Sequence, residues 1–148
     1  MKKLITLLPK LDMEPITSKK IIFDANILVR YSRTNYSIPL LQRAASNNLA
    51  IISNNYLLSE IHKAVQKNKW LSLKQADTYI ELLKKFIVAK TETANYRISP
   101  DPKDNYLFDL AIQNNCAFII SDDRELLEFE LKPIPVYSSN WFIKHYPI

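Results

Sequence analysis

Five short apolar runs punctuate the chain: Lys20-Ile21-Ile22-Phe23, Leu49-Ala50-Ile51-Ile52, Phe86-Ile87-Val88-Ala89, Ala117-Phe118-Ile119-Ile120 and Ile134-Pro135-Val136-Tyr137. Continuous apolar stretches of this length predict strands buried on both faces, where no polar side chain has water to face. The third run follows directly on a helical pattern, so its start is not marked by the sequence. Longer segments between the runs carry helical spacing: Ser59 to Lys69, Ser72 to Lys85, Asp104 to Asn115, and a short terminal segment from Ser138 to His145. In the second of these, Ala76, Tyr79, Ile80, Leu83 and Ile87 recur every three or four residues and form one apolar face. Ser72 with Gln75 three residues later reads as a capping box at its start. Strands alternating with helices predict an α/β fold, a parallel sheet covered on both sides. Such sheets carry their functional residues at the carboxyl ends of the strands.

Composition narrows the chemistry. The 148 residues contain no glycine. A Walker A loop, a Rossmann Gly-rich turn, a kinase loop and a nucleophile elbow all need it, so those classes fall away. Asn stands next to Gly in tolerating a left-handed backbone. The pairs Asn47-Asn48, Asn54-Asn55 and Asn114-Asn115 are therefore expected at turns and helix ends. The single Cys116 lies in an apolar run, reads as a buried small hydrophobe, and suits a reducing, cytoplasmic compartment. No run approaches the roughly 20 apolar residues needed to span a bilayer, so no membrane association is expected. The net charge of +5 is uneven, because residues 1–20 hold five Lys and two acids. Residues 1–19 read as a leader, a tail or partner-binding arm with Met13 as an alternative start, ahead of one domain over 20–148.

The acids fall where the strand rule directs attention. Asp24 closes the first run, and Asp122 and Asp123 follow the Ile119-Ile120-Ser121 segment. Asp101 and Asp104 lie in the rigid turn Ser99-Pro100-Asp101-Pro102-Lys103-Asp104, and Glu60 opens the helix after the second run. Taken singly, Asp104 reads as a helix N-cap and Glu60 as a solvated helix residue. Asp24, ending a buried strand, needs a partner. Several carboxylates sharing one sheet rim raise one another's pKa unless a cation offsets the repulsion. An oxygen-only donor set favours Mg²⁺ or Mn²⁺ over Zn²⁺, and an ion of that kind suits chemistry at phosphate.

Motifs across residues 20–145 are similar to those of a known family. Ile21-Ile22-Phe23-Asp24-Ala25-Asn26-Ile27-Leu28-Val29 resembles the opening motif of PIN domains: apolar strand, Asp, any residue, Asn, then an apolar helix. Asp101-Pro102-Lys103-Asp104-Asn105-Tyr106-Leu107-Phe108-Asp109-Leu110-Ala111 resembles their third acidic motif, and Ile119-Ile120-Ser121-Asp122-Asp123-Arg124-Glu125-Leu126-Leu127 the fourth. Ser59-Glu60-Ile61 sits where the family carries its Glu. The resemblance, strongest to the toxin branch of bacterial toxin–antitoxin systems, implies a three-layer α/β/α fold around a five-stranded parallel sheet. It also implies a Mg²⁺- or Mn²⁺-dependent endoribonuclease that leaves 5′-phosphate and 3′-hydroxyl ends. Carried over by position, Asp24, Glu60, Asp104 and Asp123 form the acidic quartet. Asp24, Asp104 and Asp123 would hold metal, and Glu60 would position the attacking water. Asn26 and Ser121 match polar positions that orient the quartet, and Asp101 matches an accessory acid. The fourth motif usually carries Gly where this chain has Asp122, an extra acid beside the site. Register favours Asp123 as the residue that faces the metal.

An acidic pocket needs positive surroundings to attract RNA. Residues 61–90 contain seven Lys and two acids. Lys67, Lys69 and Trp70 are candidates for RNA contact, against the plain reading of a solvated helix face and a core or interface Trp. His62 and His145 show no ligand spacing and read as structural or surface residues. Expected partners are RNA, an antitoxin protein and further copies of the chain in a homodimer or larger assembly. Two phosphate-handling α/β classes are disfavoured: haloacid-dehalogenase-like phosphatases need Asp where Asn26 stands, and receiver domains need Lys where Asp122-Asp123 stand. The remaining alternative is a catalytically silent PIN-like module that binds RNA or protein.

Overall fold

The computed structural model describes residues 19–33, 37–69, 71–95, 97 and 99–147. The elements run β1 (Lys19–Phe23), α1 (Ala25–Ser32), α2 (Ser37–Ser46), β2 (Leu49–Ser53), α3 (Asn55–Lys67), α4 (Leu73–Lys84) and β3 (Ile87–Ala89). A 3₁₀ turn (Pro102–Asp104) then leads into α5 (Asn105–Gln113), followed by β4 (Phe118–Ile120), α6 (Arg124–Glu128), β5 (Val136–Tyr137) and α7 (Ser139–His145). All five strands pair in parallel, in the order β3-β2-β1-β4-β5. With helices on both faces, this is the three-layer α/β/α architecture expected from the alternating pattern. Of the leader, only Lys19 belongs to the described residues; Met13 and Trp70 lie outside them.

Every apolar run becomes a strand: β1 and β2 each gain one residue, β3, β4 and β5 are trimmed, and β3, at the edge of the sheet, is largely exposed rather than buried on both faces. Phe86 ends the turn after α4, where its N–H donates to Leu83 O, so β3 begins at Ile87. Pro135 lies outside β5, although its carbonyl still accepts from Ile119 N. Pairing places Ile21 opposite both Ile51 and Phe118, and Phe23 opposite Ile120. Ile21, Ile22 and Phe23 are fully buried, which accounts for their unbroken apolar run in the central strand.

Helix starts follow capping chemistry. The predicted Ser72–Gln75 capping box is present in both directions, at 3.1 and 2.9 Å. By contrast, α3 begins four residues before the expected Ser59, because Asn54 Oδ1 accepts from Leu57 N at 2.7 Å and caps the helix. The periodicity reading also passed over α2. Pro39 looks like a breaker, but it occupies the first turn, where no intrahelical N–H is lost. Two Asn pairs end helices in the left-handed conformation, Asn48 at φ 59° and Asn115 at φ 57°, while the third supplies the Asn54 cap. Lys69, at φ 57°, is the third left-handed residue among those described. Cys116 is buried, and desolvation pushes its thiol up to about 12, as expected of an inert core residue. Among the described residues no helix is long and apolar enough to cross a membrane.

Candidate functional site

The strand order changes direction at β1: the chain moves outward through β2 and β3, then returns to place β4 and β5 on the other side. The crevice at the carboxyl ends of β1 and β4 is therefore the switch point at which sheets of this kind bind ligands. Asp24 sits there. Its N–H donates to Ile120 O at 2.8 Å, and its Oδ2 accepts from Ser121 Oγ at 2.8 Å. Ser121 Oγ also accepts from Asp123 N at 3.1 Å. One hydroxyl thus ties the end of β1 to the chain leaving β4.

Asp24 is 5% exposed, and burial raises its pKa. The Ser121 hydrogen bond and the N–H groups of Ala25 and Asn26 work against that rise, while the Asp123 charge adds to it. Asp104 is shifted further, up to about 7, first by desolvation and then by the charges of Asp24, Asp123, Asp101 and Glu60. Asp24, Glu60, Asp101, Asp104 and Asp123, which come from the ends of β1 and β4, from α3, and from the 3₁₀ turn, act on one another across a single rim.

Local structure explains each placement. Asp104 makes no side-chain cap bond to α5, so the N-cap reading of this residue is not realised. Asp101 does the capping instead, its Oδ1 accepting from Lys103 N at 3.1 Å. The turn is held shut by Ser99, whose N donates to Asn105 Oδ1 at 3.1 Å and whose Oγ donates to Asp101 O at 2.8 Å. Asp123 caps α6 through Oδ1, which accepts from Glu125 N at 3.0 Å. Glu60 lies in the middle of α3, not at its start, and faces the rim half-buried.

Asp122 leaves the rim altogether. Its Oδ1 accepts from Ser139 N at 2.8 Å, its Oδ2 accepts from Ser139 Oγ at 2.7 Å, and Arg30 Nη1 reaches the same Oδ2 at 2.8 Å. It docks the first residue of α7 against α1. Among the described residues only Asn48, Lys69 and Asn115 have positive φ, so position 122 does not require a glycine backbone. Asn26 is exposed, and its backbone N–H rather than its side chain is what acts on Asp24. Lys67 closes α3 and Lys69 follows two residues on, and both are exposed. The two histidines fulfil the structural reading. His62 Nε2 meets Asp77 Oδ1 at 2.7 Å between α3 and α4, and His145 stacks on Trp141 at 4.5 Å.

Two residues not anticipated from the sequence flank the acids. The Tyr56 hydroxyl donates to Glu60, one helical turn on, and that bond raises the Tyr56 pKa. Tyr106 is pushed up by burial and by the negative field of Asp24, Glu60 and Asp104. The two rings meet edge to face at 5.0 Å. The i, i+4 spacing of Tyr56 and Glu60 was the readable signal for the first. Nothing in the sequence marks Tyr106.

Among the described residues no three carboxylates are gathered closely enough to enclose a metal ion. The donor set nevertheless suits an oxygen-seeking dication that keeps part of its water shell. Asp123 Oδ2 accepts no hydrogen bond among the described residues, Asp104 is not tied to its helix, and its pKa is raised to about 7, first by burial and then by its acidic neighbours. No curated protein matches the chain. The sequence does match the family described as PIN domain, over residues 20–125. That span takes in β1, the sheet's switch point and all five acids of the rim, and on this match the chain belongs to the PIN domain family, whose members are generally nucleases.

Proposed function

We propose that this chain is a Mg²⁺- or Mn²⁺-dependent endoribonuclease and the toxin of a toxin–antitoxin pair, working in the cytoplasm. The observation that carries the nuclease reading is the gathering of acids at the switch point: Ser121 Oγ joins Asp24 to Asp123, and Asp104 is shifted to about 7, first by desolvation and then by the charges of four neighbouring acids. A group of carboxylates maintained at that cost in ionisation is characteristic of sites that use the charge. Asp24, Asp104 and Asp123 would hold the ion. When bound, it supplies neutralisation of the charge that builds on the phosphate and makes a water easier to deprotonate. Ser121 fixes the Asp24 carboxylate through its 2.8 Å bond. Glu60, steadied by the Tyr56 hydroxyl, orients the attacking water and takes its proton. The toxin role rests on the likeness of the acidic motifs to that branch of the family.

A fluorescence-quenched single-stranded RNA incubated with the protein tests the activity. Cleavage is expected with Mg²⁺ or Mn²⁺, loss with a chelator, and products with 5′-phosphate and 3′-hydroxyl ends. Intact RNA under every metal condition would sink the enzyme reading and leave a binding module. The toxin role is checked separately. Induced expression in a bacterial host should arrest growth, and co-expression of the adjacent small reading frame should relieve it.

A further inference from the structure

Beside the acids opens a cleft of about 540 Å³, within the range of small-ligand pockets. Tyr56 and Tyr106 form one wall, and Arg97 and Lys103 stand at its edge. Tyr56 is 52% exposed, a large amount for an aromatic ring sitting in a concavity. Tyr106 packs edge-on against it, which fixes the ring plane and leaves a face open.

The cleft carries two acids and two bases in its lining. Glu92 and Asp109 also line it, but both carboxylates are engaged by protein. Glu92 Oε1 accepts from Asn54 Nδ2 at 2.8 Å, and Asp109, 3% exposed, accepts from Asn95 N at 3.0 Å. Arg97 and Lys103 are exposed. The cleft thus offers an aromatic face and two exposed cations, Arg97 and Lys103, beside two carboxylates held by amide donors, and Lys103 and Asn105 adjoin Asp104 in the chain.

We infer that this cleft is a nucleotide subsite: the base next to the scissile phosphate stacks on the Tyr56 ring, and Arg97 and Lys103 meet a flanking backbone phosphate. The inference rests on the nuclease reading of the rim and adds to it how the strand is held. Stacking on an aromatic face accepts any base and requires it to be unpaired, so the subsite selects single strands over duplexes.

The test uses the full chain carrying Asp24→Asn, which binds without cutting, and a fluorescein-labelled 12-nucleotide single-stranded RNA of mixed sequence with Mg²⁺, read by anisotropy. In that background Tyr56→Ala should weaken binding by roughly tenfold, whereas Tyr56→Phe, which keeps the ring, should stay within about twofold of its parent. Arg97→Ala and Lys103→Ala should each lower the salt dependence by about one ion. An abasic strand of the same length should bind more weakly and be insensitive to Tyr56→Ala. Equal affinity for the parent and Tyr56→Ala, equal losses on the normal and abasic strands, or no binding of RNA at all would each overturn the subsite. The outcome is separable from that of the nuclease reading. Tyr56-dependent binding with no cleavage by the intact protein keeps the subsite and sinks the enzyme; cleavage with no Tyr56 dependence does the reverse.

Discussion

Asp122 and Asp123 are adjacent in sequence and opposite in circumstance. Asp122 lies in a corner where every demand of a carboxylate is met, by a backbone N–H, a hydroxyl and a guanidinium. Asp123 uses one oxygen to cap α6 and presents the other to a rim occupied by Asp24, Glu60, Asp101 and Asp104. The corner spends its negative charge on structure, whereas the rim keeps its charge uncompensated. A folded protein tolerates such a rim only because the rest of the core is large enough to carry it, and a charge left unmatched is available to a ligand.

The largest effect should come from the rim. Asp24→Asn keeps the shape and the Ser121 hydrogen bond but removes the buried charge. Cleavage should fall by more than the roughly 100-fold that loss of an outer hydrogen-bond partner costs at metal sites. Ser121→Ala, which is such a loss, should lie in the range of about 10- to 100-fold. Melting of Asp24→Asn should be unchanged or higher, since burial already disfavours the Asp24 anion. A variant that melts early yet cleaves normally would mean that the rim and the corner have been assigned the wrong way round.

The corner should show the opposite signature. Asp122→Ala leaves Ser139 N without its acceptor and undocks the start of α7, at a cost of about 1–3 kcal/mol, or a fall in Tm of roughly 3–10 °C. Cleavage measured well below the melting range should be unchanged. Urea melts and the quenched-RNA assay on the same preparation give both readings.

The contrast also shows how far the sequence could be read. The sheet was legible because a strand buried on both faces has to be apolar at every position, as Ile21, Ile22 and Phe23 are. Asp24 and Asp123 were legible because parallel strands deliver their ends to one edge, whereas Glu60 in mid-helix and Asp101 and Asp104 in the 3₁₀ turn depend on the elements that follow the strands. The fate of Asp122 was not legible. It depends on α7 arriving 17 residues later with Ser139 in reach, and on Arg30 approaching from α1. Lys67 and Lys69, at and just beyond the last turn of α3, count toward local charge, but charge count alone does not say which surface they face. Tyr106 enters by packing alone, and packing leaves no mark in a single sequence.

The rim makes a prediction about pH as well. With its pKa near 7, the Asp104 carboxyl is largely protonated at pH 6 and largely ionised at pH 8. A cation must displace that proton, so Mn²⁺ affinity should rise roughly fivefold from pH 6 to 7 and flatten above pH 8. Asp104→Asn should bind more weakly and lose this slope. Stability without metal should move the other way. The folded-state pKa of Asp104 lies above its unfolded value of 3.8, so the folded form holds the proton more tightly, and that advantage is lost as pH rises through about 7. Calorimetric titration with Mn²⁺ and metal-free melts, both taken at pH 6, 7 and 8, check the two signs.

The smallest effect decides what holds the corner. Arg30 is 57% exposed and Asp122 21%, so their 2.8 Å ion pair lies largely in water. Pairs of that kind are worth about 0.2–1 kcal/mol, and salt screens them. The bonds from Ser139 to the same carboxylate are better shielded and include a helix-start N–H that has no other partner in its helix. Arg30→Ala should therefore cost at most about 1 kcal/mol, well below Asp122→Ala, and that cost should shrink in 0.5 M NaCl. If Arg30→Ala costs as much as Asp122→Ala and the loss is abolished by salt, then the corner is held by charge rather than by hydrogen bonding. Asp122 would then differ from Asp123 only in having found a cation within the protein, while the rim still has to obtain one from solution.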